Sequence, residues 1–297
     1  MAETIQDQWA QWLLQRRHGG DPEQQQTMLQ RLFAVRDQVL QHADIAAGET
    51  MLDVGTGDGL IAFGGLPQVG EQGQVIFSDI SQDLLDHSQA LAGQMSVLDR
   101  CQFVRASADD LTPLADASVD VVTTRSVLIY VAAKQQAFHE FYRVLKPGGR
   151  ISLFEPINRF AYPEPGNRFF GYNVTPVQGI ADKVKAGYGL LIKNETEAYG
   201  PMMDFGEYDL FRFAEKAGFG EIHLHVQVDM KPMEPAKWDT FRQSAPNPLA
   251  PTLEEVLQAA LTPAEAEQFA NHLSPLVERG QGTTRMAVAY LWAIKGV

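Results

Sequence analysis

Cysteine is almost absent, Cys101 being the only one in 297 residues. No intramolecular disulfide, cysteine-rich zinc site or multi-thiol chemistry can be built from it. Basic charge is also scarce: 24 Lys and Arg stand against 37 Asp and Glu, a formal net charge of −13. A field of that sign repels phosphate backbones and disfavours DNA or RNA as the main partner, though a local basic patch could survive it. No apolar run reaches membrane-spanning length, and the opening MAETIQDQW has no basic region leading into an apolar stretch. The expectation is a reduced, cytoplasmic chain with no membrane partner. Its 45% apolar and 21% charged residues are ordinary for a globular protein with a sizeable core.

The first 44 residues read as a helical extension. Ile5, Trp9, Trp12 and Leu13 share one face at helical spacing, and Gly19-Gly20 ends the run. Asp21 and Pro22 then suit the N-cap and first position of a second helix. Its apolar stripe is Leu29, Leu32, Phe33, Val39 and Leu40. The reading is a helical pair packed on the main domain (45–297). From residue 50 the period changes. Short apolar runs at 50–54, 74–78, 102–104, 119–124 and 150–154 are spaced widely enough for a helix between each. That alternation predicts a parallel sheet with helices on both faces. A helix at 206–217 and strands near 222–228 and 284–294 follow. Two stretches, about 158–205 and 229–282, are too long for simple connections and read as cap insertions.

The strongest local signal is Asp53-Val54-Gly55-Thr56-Gly57-Asp58-Gly59, where an apolar strand runs into three glycines at alternate positions. Glycine lets a ligand approach the backbone, and the following helix N-terminus favours polar or anionic groups. Asp79, twenty residues after Gly59, ends the next strand, where an acid can accept both hydroxyls of a ribose. The glycine spacing is one residue shorter than the dinucleotide fingerprint. Asp53 would also face a pyrophosphate unfavourably and a cationic amino group well. The expected ligand is a zwitterionic nucleoside, and S-adenosylmethionine fits.

On these residues the chain resembles the class I S-adenosylmethionine-dependent methyltransferases, nearest to the quinone-biosynthesis type. Leu52–Gly59 is similar to the family's first motif, and Phe77-Ser78-Asp79-Ile80-Ser81 carries its acid. Ser107–Leu111, Val119–Val122 and Leu145–Arg150 continue the likeness, which covers roughly 48–156. The resemblance implies a doubly wound, Rossmann-like α/β fold with seven strands, the last antiparallel. It implies that Asp53, Gly55, Gly57 and Gly59 line the methionine portion, with Arg125 and Ser126 beside it. Asp79 would hold the ribose, Ile80 would pack on adenine, and Ala108 would offer its backbone to the adenine edge. Either Asp109 or Ser107 would contact the adenine amine. Lys146 and Arg150, in the turn before the fifth strand, read as solvated.

The implied activity is methyl transfer to a small organic acceptor at oxygen, nitrogen or carbon, with positioning as the main catalytic effect. The alternative is a non-catalytic protein that binds the cofactor for sensing or assembly. The acceptor is expected at the ends of strands four and five, with Glu155 and Tyr130 as candidate catalytic groups. Asn158, Tyr172, Tyr199, Met202 and Met203 of the first insertion, and Trp238 and Arg242 of the second, would wall the pocket. His223 and His225 read as structural, and no zinc-ligand spacing is present. Thr124–Val127 lacks the Asn-Pro-Pro-aromatic segment of exocyclic-amine methylation, and one cysteine cannot cage arsenite.

Overall fold

The computed structural model describes residues 7–191 and 200–296. In chain order the elements begin with α1 (Gln8–Leu14), α2 (Pro22–Ala43), β1 (Thr50–Val54), α3 (Leu60–Val69), β2 (Gln74–Asp79) and α4 (Gln82–Gln94). Next come β3 (Cys101–Arg105), β4 (Val119–Arg125), α5 (Lys134–Val144) and β5 (Leu145–Pro156). A small hairpin, β6 (Arg168–Phe169) and β7 (Tyr172–Asn173), leads to α6 (Gln178–Leu191) and α7 (Glu207–Ala217). The chain closes with β8 (Phe219–Pro232), α8 (Trp238–Gln243), α9 (Leu253–Ala260), α10 (Pro263–Glu278) and β9 (Thr283–Lys295).

The seven-stranded sheet runs β3-β2-β1-β4-β5-β9-β8. β1 to β5 are parallel, while β9 lies antiparallel between β5 and β8. The last strand in the chain is thus the antiparallel one, as the resemblance implies. Neighbouring residues of β1 explain the layering. Met51 and Leu52 are both fully buried, but Met51 packs with Val39 and Leu40 of α2, and Leu52 with Phe138 and Phe141 of α5. A strand covered on both faces needs an unbroken apolar run, and the sequence supplies it. The insertions share a third apolar cluster, built from Phe169, Tyr172, Val256, Phe269 and Leu273. Thr262 opens α10 with a capping box to Glu265.

Two sequence readings of the fold change. β5 begins at Leu145 rather than Arg150, so the Pro-Gly-Gly segment lies inside the strand, with a register shift opposite Val119 and Val121. Arg150 is not solvated. Its Nε donates to the Ala43 carbonyl at 2.6 Å, and its guanidinium grips Glu49 through contacts of 2.9 and 2.6 Å. Lys146 pairs with Asp120 at 2.7 Å but stays solvated, its side chain 41% exposed. Arg150 therefore pins the end of α2 to the sheet, satisfying terminal carbonyls that the helix itself leaves open.

Replacing Arg150 by Leu strands the half-buried Glu49 carboxylate and the Ala43 carbonyl. The expected loss is about 2 kcal/mol in a urea titration, and a loss below about 0.5 kcal/mol contradicts this role.

Candidate functional site

Strand order reverses between β1 and β4, and at that switch point the loops leaving the two carboxyl ends part and open a crevice. The crevice holds a cavity of about 560 Å³. Its floor comes from the loops the sequence singles out: Gly55 and Gly57 after β1, Asp79 and Ile80 at the end of β2, and Ser107–Asp109 after β3. Arg125, which ends β4, and Ser126 and Tyr130 beyond it also line the cavity.

Glycine is required in the first loop for two reasons. Gly55 and Gly57 hold φ of +65° and +59°. A Cβ at Gly55 would meet Val127 Cγ2 at 2.3 Å, and one at Gly57 would touch Leu13 Cδ2 at 3.0 Å. Gly59 also has positive φ but caps α3 and faces Phe63 and Phe77, so it does not line the cavity.

Asp79 ties the floor together. Its Oδ2 accepts from the Gly57 N–H at 2.9 Å and its Oδ1 from the Ser81 N–H at 2.9 Å. Burial raises its carboxyl above the usual range. Asp53 lies beneath, fully desolvated, with Oδ1 accepting from the Thr123 hydroxyl at 2.8 Å. Its Oδ2 makes no hydrogen bond among the described residues, and the nearby Thr56 hydroxyl does not close one. Burial pushes the Asp53 carboxyl up to about 7, against the pull of the Thr123 and Thr56 hydroxyls. A buried acceptor left open in this way sits under the glycine turn. After β3, Ser107 donates its hydroxyl to Asp109, so these two share one polar unit.

The roof differs from the expectation. Trp9, Trp12, Leu13 and Arg17 of the N-terminal segment cover the cavity, with Ser244–Pro246 beside them. Trp9 packs edge-on against Tyr130 at 5.0 Å. Asp7 fastens the segment, capping α1 through the Trp9 and Ala10 N–H groups while accepting from the Ser81 hydroxyl at 2.6 Å. On the other side the Trp12 Nε1–H donates to the Ala245 carbonyl at 2.9 Å, and the Ala245 N–H returns to the Arg16 carbonyl at 3.0 Å. Two tryptophans three residues apart beside Leu13 were the available signal for this roof, and an apolar helix face alone reads equally well as packing.

The expected acceptor residues are scattered. Tyr172 is buried in the insertions' own core, because the β6–β7 hairpin turns it away from the sheet. Trp238 and Arg242 edge a separate, open cavity with Glu254 and Leu257, and Arg242 is held by Asp239 and Glu254. Asn158 donates to the Met202 carbonyl at 3.1 Å, and Arg159 donates to that of Met203; this joins the first insertion to the end of β5 but lines no part of the main cavity. Tyr199 lies outside the described residues. Glu155 is completely buried and also does not line the cavity. It accepts from the Val127 and Leu128 N–H groups at 2.9 Å each and from that of Ile129 at 3.3 Å, shaping the turn that carries Tyr130. Burial raises its carboxyl to about 7. Tyr130 does line the cavity, but burial and then Glu155 push its hydroxyl well above the usual range, so it stays protonated.

A cavity at the switch point of a doubly wound sheet is the arrangement of a ligand-binding α/β protein. A methyltransferase-domain family model matches residues 52–153. The ubiquinone/menaquinone biosynthesis C-methyltransferase UbiE of Psychromonas ingrahamii is 32% identical over 164 residues, 52% of this chain and 58% of that protein. Its counterpart from Haemophilus ducreyi is 31% identical over 191 residues, 61% of this chain and 68% of that protein. The chain spans about three fifths of the length of these relatives. A solved structure from Bacillus halodurans C-125, described as a methyltransferase, covers 88% of this chain and 99% of its own at a TM-score of 0.54 and 19% identity, a likeness of fold. The chain belongs to the class I S-adenosylmethionine-dependent methyltransferase family.

If Glu155 shapes the turn, Glu155→Ala leaves three buried N–H groups unsatisfied and costs about 3 kcal/mol or more in chemical denaturation. Glu155 and Asp53 keep their protons in the fold at pH values where the unfolded chain has lost them. Their stabilisation is therefore complete below about pH 4 and is lost as pH rises through about 7. The wild type's stability advantage over Glu155→Gln should accordingly shrink between about pH 5 and 8. A constant advantage would contradict the burial account.

Proposed function

We propose that the chain transfers the methyl group of S-adenosylmethionine to a small organic acceptor bound in the same cavity. The observation that carries this reading is the continuity of the space. Gly55, Gly57, Asp79 and Asp109 line the same cavity as Arg125, Tyr130 and Trp9. Cofactor and acceptor can then meet in one volume partly covered by the N-terminal segment.

The residues fit the cofactor. The open Oδ2 of Asp53 suits a cationic amino group, reached directly or through water. Gly55 and Gly57 line the methionine portion, with Arg125 and Ser126 beside it. Asp79 keeps lone pairs free of its two N–H donors and accepts the ribose hydroxyls. Ile80, 42% exposed at the cavity rim, covers one face of adenine. Ala108 and the Ser107–Asp109 unit meet its edge. When bound, the cofactor supplies a methyl group that is electrophilic without further activation. Holding an acceptor in line can contribute about 7–11 kcal/mol towards the barrier. Neither Glu155 nor Tyr130 serves as a base: the first points into backbone and the second holds its proton. The relatives are named for methylation at carbon, one of the three acceptor atoms open to this chain. The acidic surface keeps nucleic acid from being the acceptor, and the setting is cytoplasmic.

Calorimetry with S-adenosylhomocysteine tests the cofactor part. Asp79→Asn and Asp79→Ala should each weaken binding by at least about tenfold, since each loses a charge-assisted bond to ribose. Unchanged affinity in both would refute the ribose role. Methyl-labelled cofactor incubated with metabolite extracts tests transfer. Tight S-adenosylhomocysteine binding without label transfer to any extract would favour the non-catalytic reading.

A further inference from the structure

Two cations line the cavity, Arg17 from the roof and Arg125 from the end of β4. In a chain with thirteen more acids than bases, both lack a carboxylate partner. Among the described residues neither guanidinium makes an ion pair or a hydrogen bond. Arg17 instead lies over the Trp12 ring at 5.2 Å. Asp58, whose buried Oδ1 has no hydrogen-bond partner among the described residues, attracts it from beyond ion-pair distance, and Asp53 stands in the same relation to Arg125. Burial, followed by repulsion from Arg125, lowers the Arg17 guanidinium to about 10, so it remains charged at neutral pH. A desolvated cation left unpaired is costly, and two facing one space are costlier still.

The bound cofactor does not balance this charge. Its carboxylate is one anion, its amino group faces Asp53, and its sulfonium adds a further positive charge. Asp79 and Asp109 are engaged by the ribose and the adenine edge. With the amino group set against Asp53, two guanidiniums and a sulfonium face the cofactor's carboxylate, and Asp58 acts on Arg17 only from beyond ion-pair distance. Trp9 and Tyr130 meanwhile provide an apolar wall next to the cations.

We propose that the methyl acceptor is a small anion with an apolar body, its carboxylate or similar group held by Arg17 and Arg125 and its body against Trp9 and Tyr130. This rests on the cofactor occupying the cavity at the glycine turn. A planar guanidinium matches a carboxylate through two parallel N–H bonds, which fixes orientation as well as position. The pair acts locally. The overall negative field decays over about 8 Å at physiological salt, so charges elsewhere on the surface do not cancel a cation pair lining one cavity.

The probes are benzoate and 1-naphthoate, each paired with its neutral amide and titrated calorimetrically into protein saturated with S-adenosylhomocysteine. At least one acid should bind about tenfold tighter than its amide. Arg17→Gln should abolish that preference while S-adenosylhomocysteine affinity moves by less than about threefold, and Arg17→Lys, which keeps the charge and stem, should retain part of it. Equal binding of acid and amide, or binding of neither, overturns the proposal. So does an Arg17→Gln variant that loses S-adenosylhomocysteine affinity about tenfold yet keeps the acid preference, because Arg17 would then serve the cofactor's own carboxylate. Failure of the wild type to bind S-adenosylhomocysteine at all would instead remove the cofactor reading beneath both.

Discussion

A parallel sheet whose strand order reverses cannot close over the reversal. The loops leaving β1 and β4 must diverge there, and a crevice remains at the carboxyl ends. The chain lines that crevice with its tightest local constraints. Positive φ at Gly55 and Gly57 brings backbone to the opening, and Asp79 reaches across to the Gly57 N–H. On the other side Glu155 gathers three N–H groups and sets the path of the turn that delivers Tyr130. Roof, floor and wall are each fastened to one of these two loop systems.

The floor was legible from residues alone, because its elements follow rules local in sequence. A strand buried on both faces must be apolar throughout, a turn with positive φ wants glycine, and an acid ending the second strand stands beside the first turn. The roof was not legible in this way. Whether Trp9 and Trp12 pack on a core or cover a cavity depends on Asp7 meeting Ser81 and on Ala245 meeting Trp12, contacts made across 74 and 233 positions. The same limit misplaced Tyr172, whose aromatic ring suits a pocket wall and a core equally well. The hairpin beside it decided the matter.

Glu155 shows how a chemically suggestive residue can be structural. Its position just past the strand end matches that of a general base, yet both of its oxygens are taken by backbone. Arg150 makes the complementary point, since a residue read as solvated fastens α2 to the sheet. Arg17 and Arg125 are the reverse case. Arg17 looks unremarkable in sequence and Arg125 reads only as a neighbour of the methionine portion, and their shared cavity and missing partners give the pair its meaning. The net negative charge disfavours polyanions at long range, while the cation pair selects at short range.

The central claim is that the cofactor lies beneath the N-terminal segment, and tryptophan emission reports on it directly. Trp9 and Trp12 line the cavity; Trp238 and Trp292 lie outside it. Titration with S-adenosylhomocysteine should give a saturable change in emission in the wild type. The Trp9→Phe/Trp12→Phe variant should lose that change while calorimetry still registers binding. A change that survives the double substitution undiminished, or calorimetric binding without any change in the wild type, would place the cofactor elsewhere.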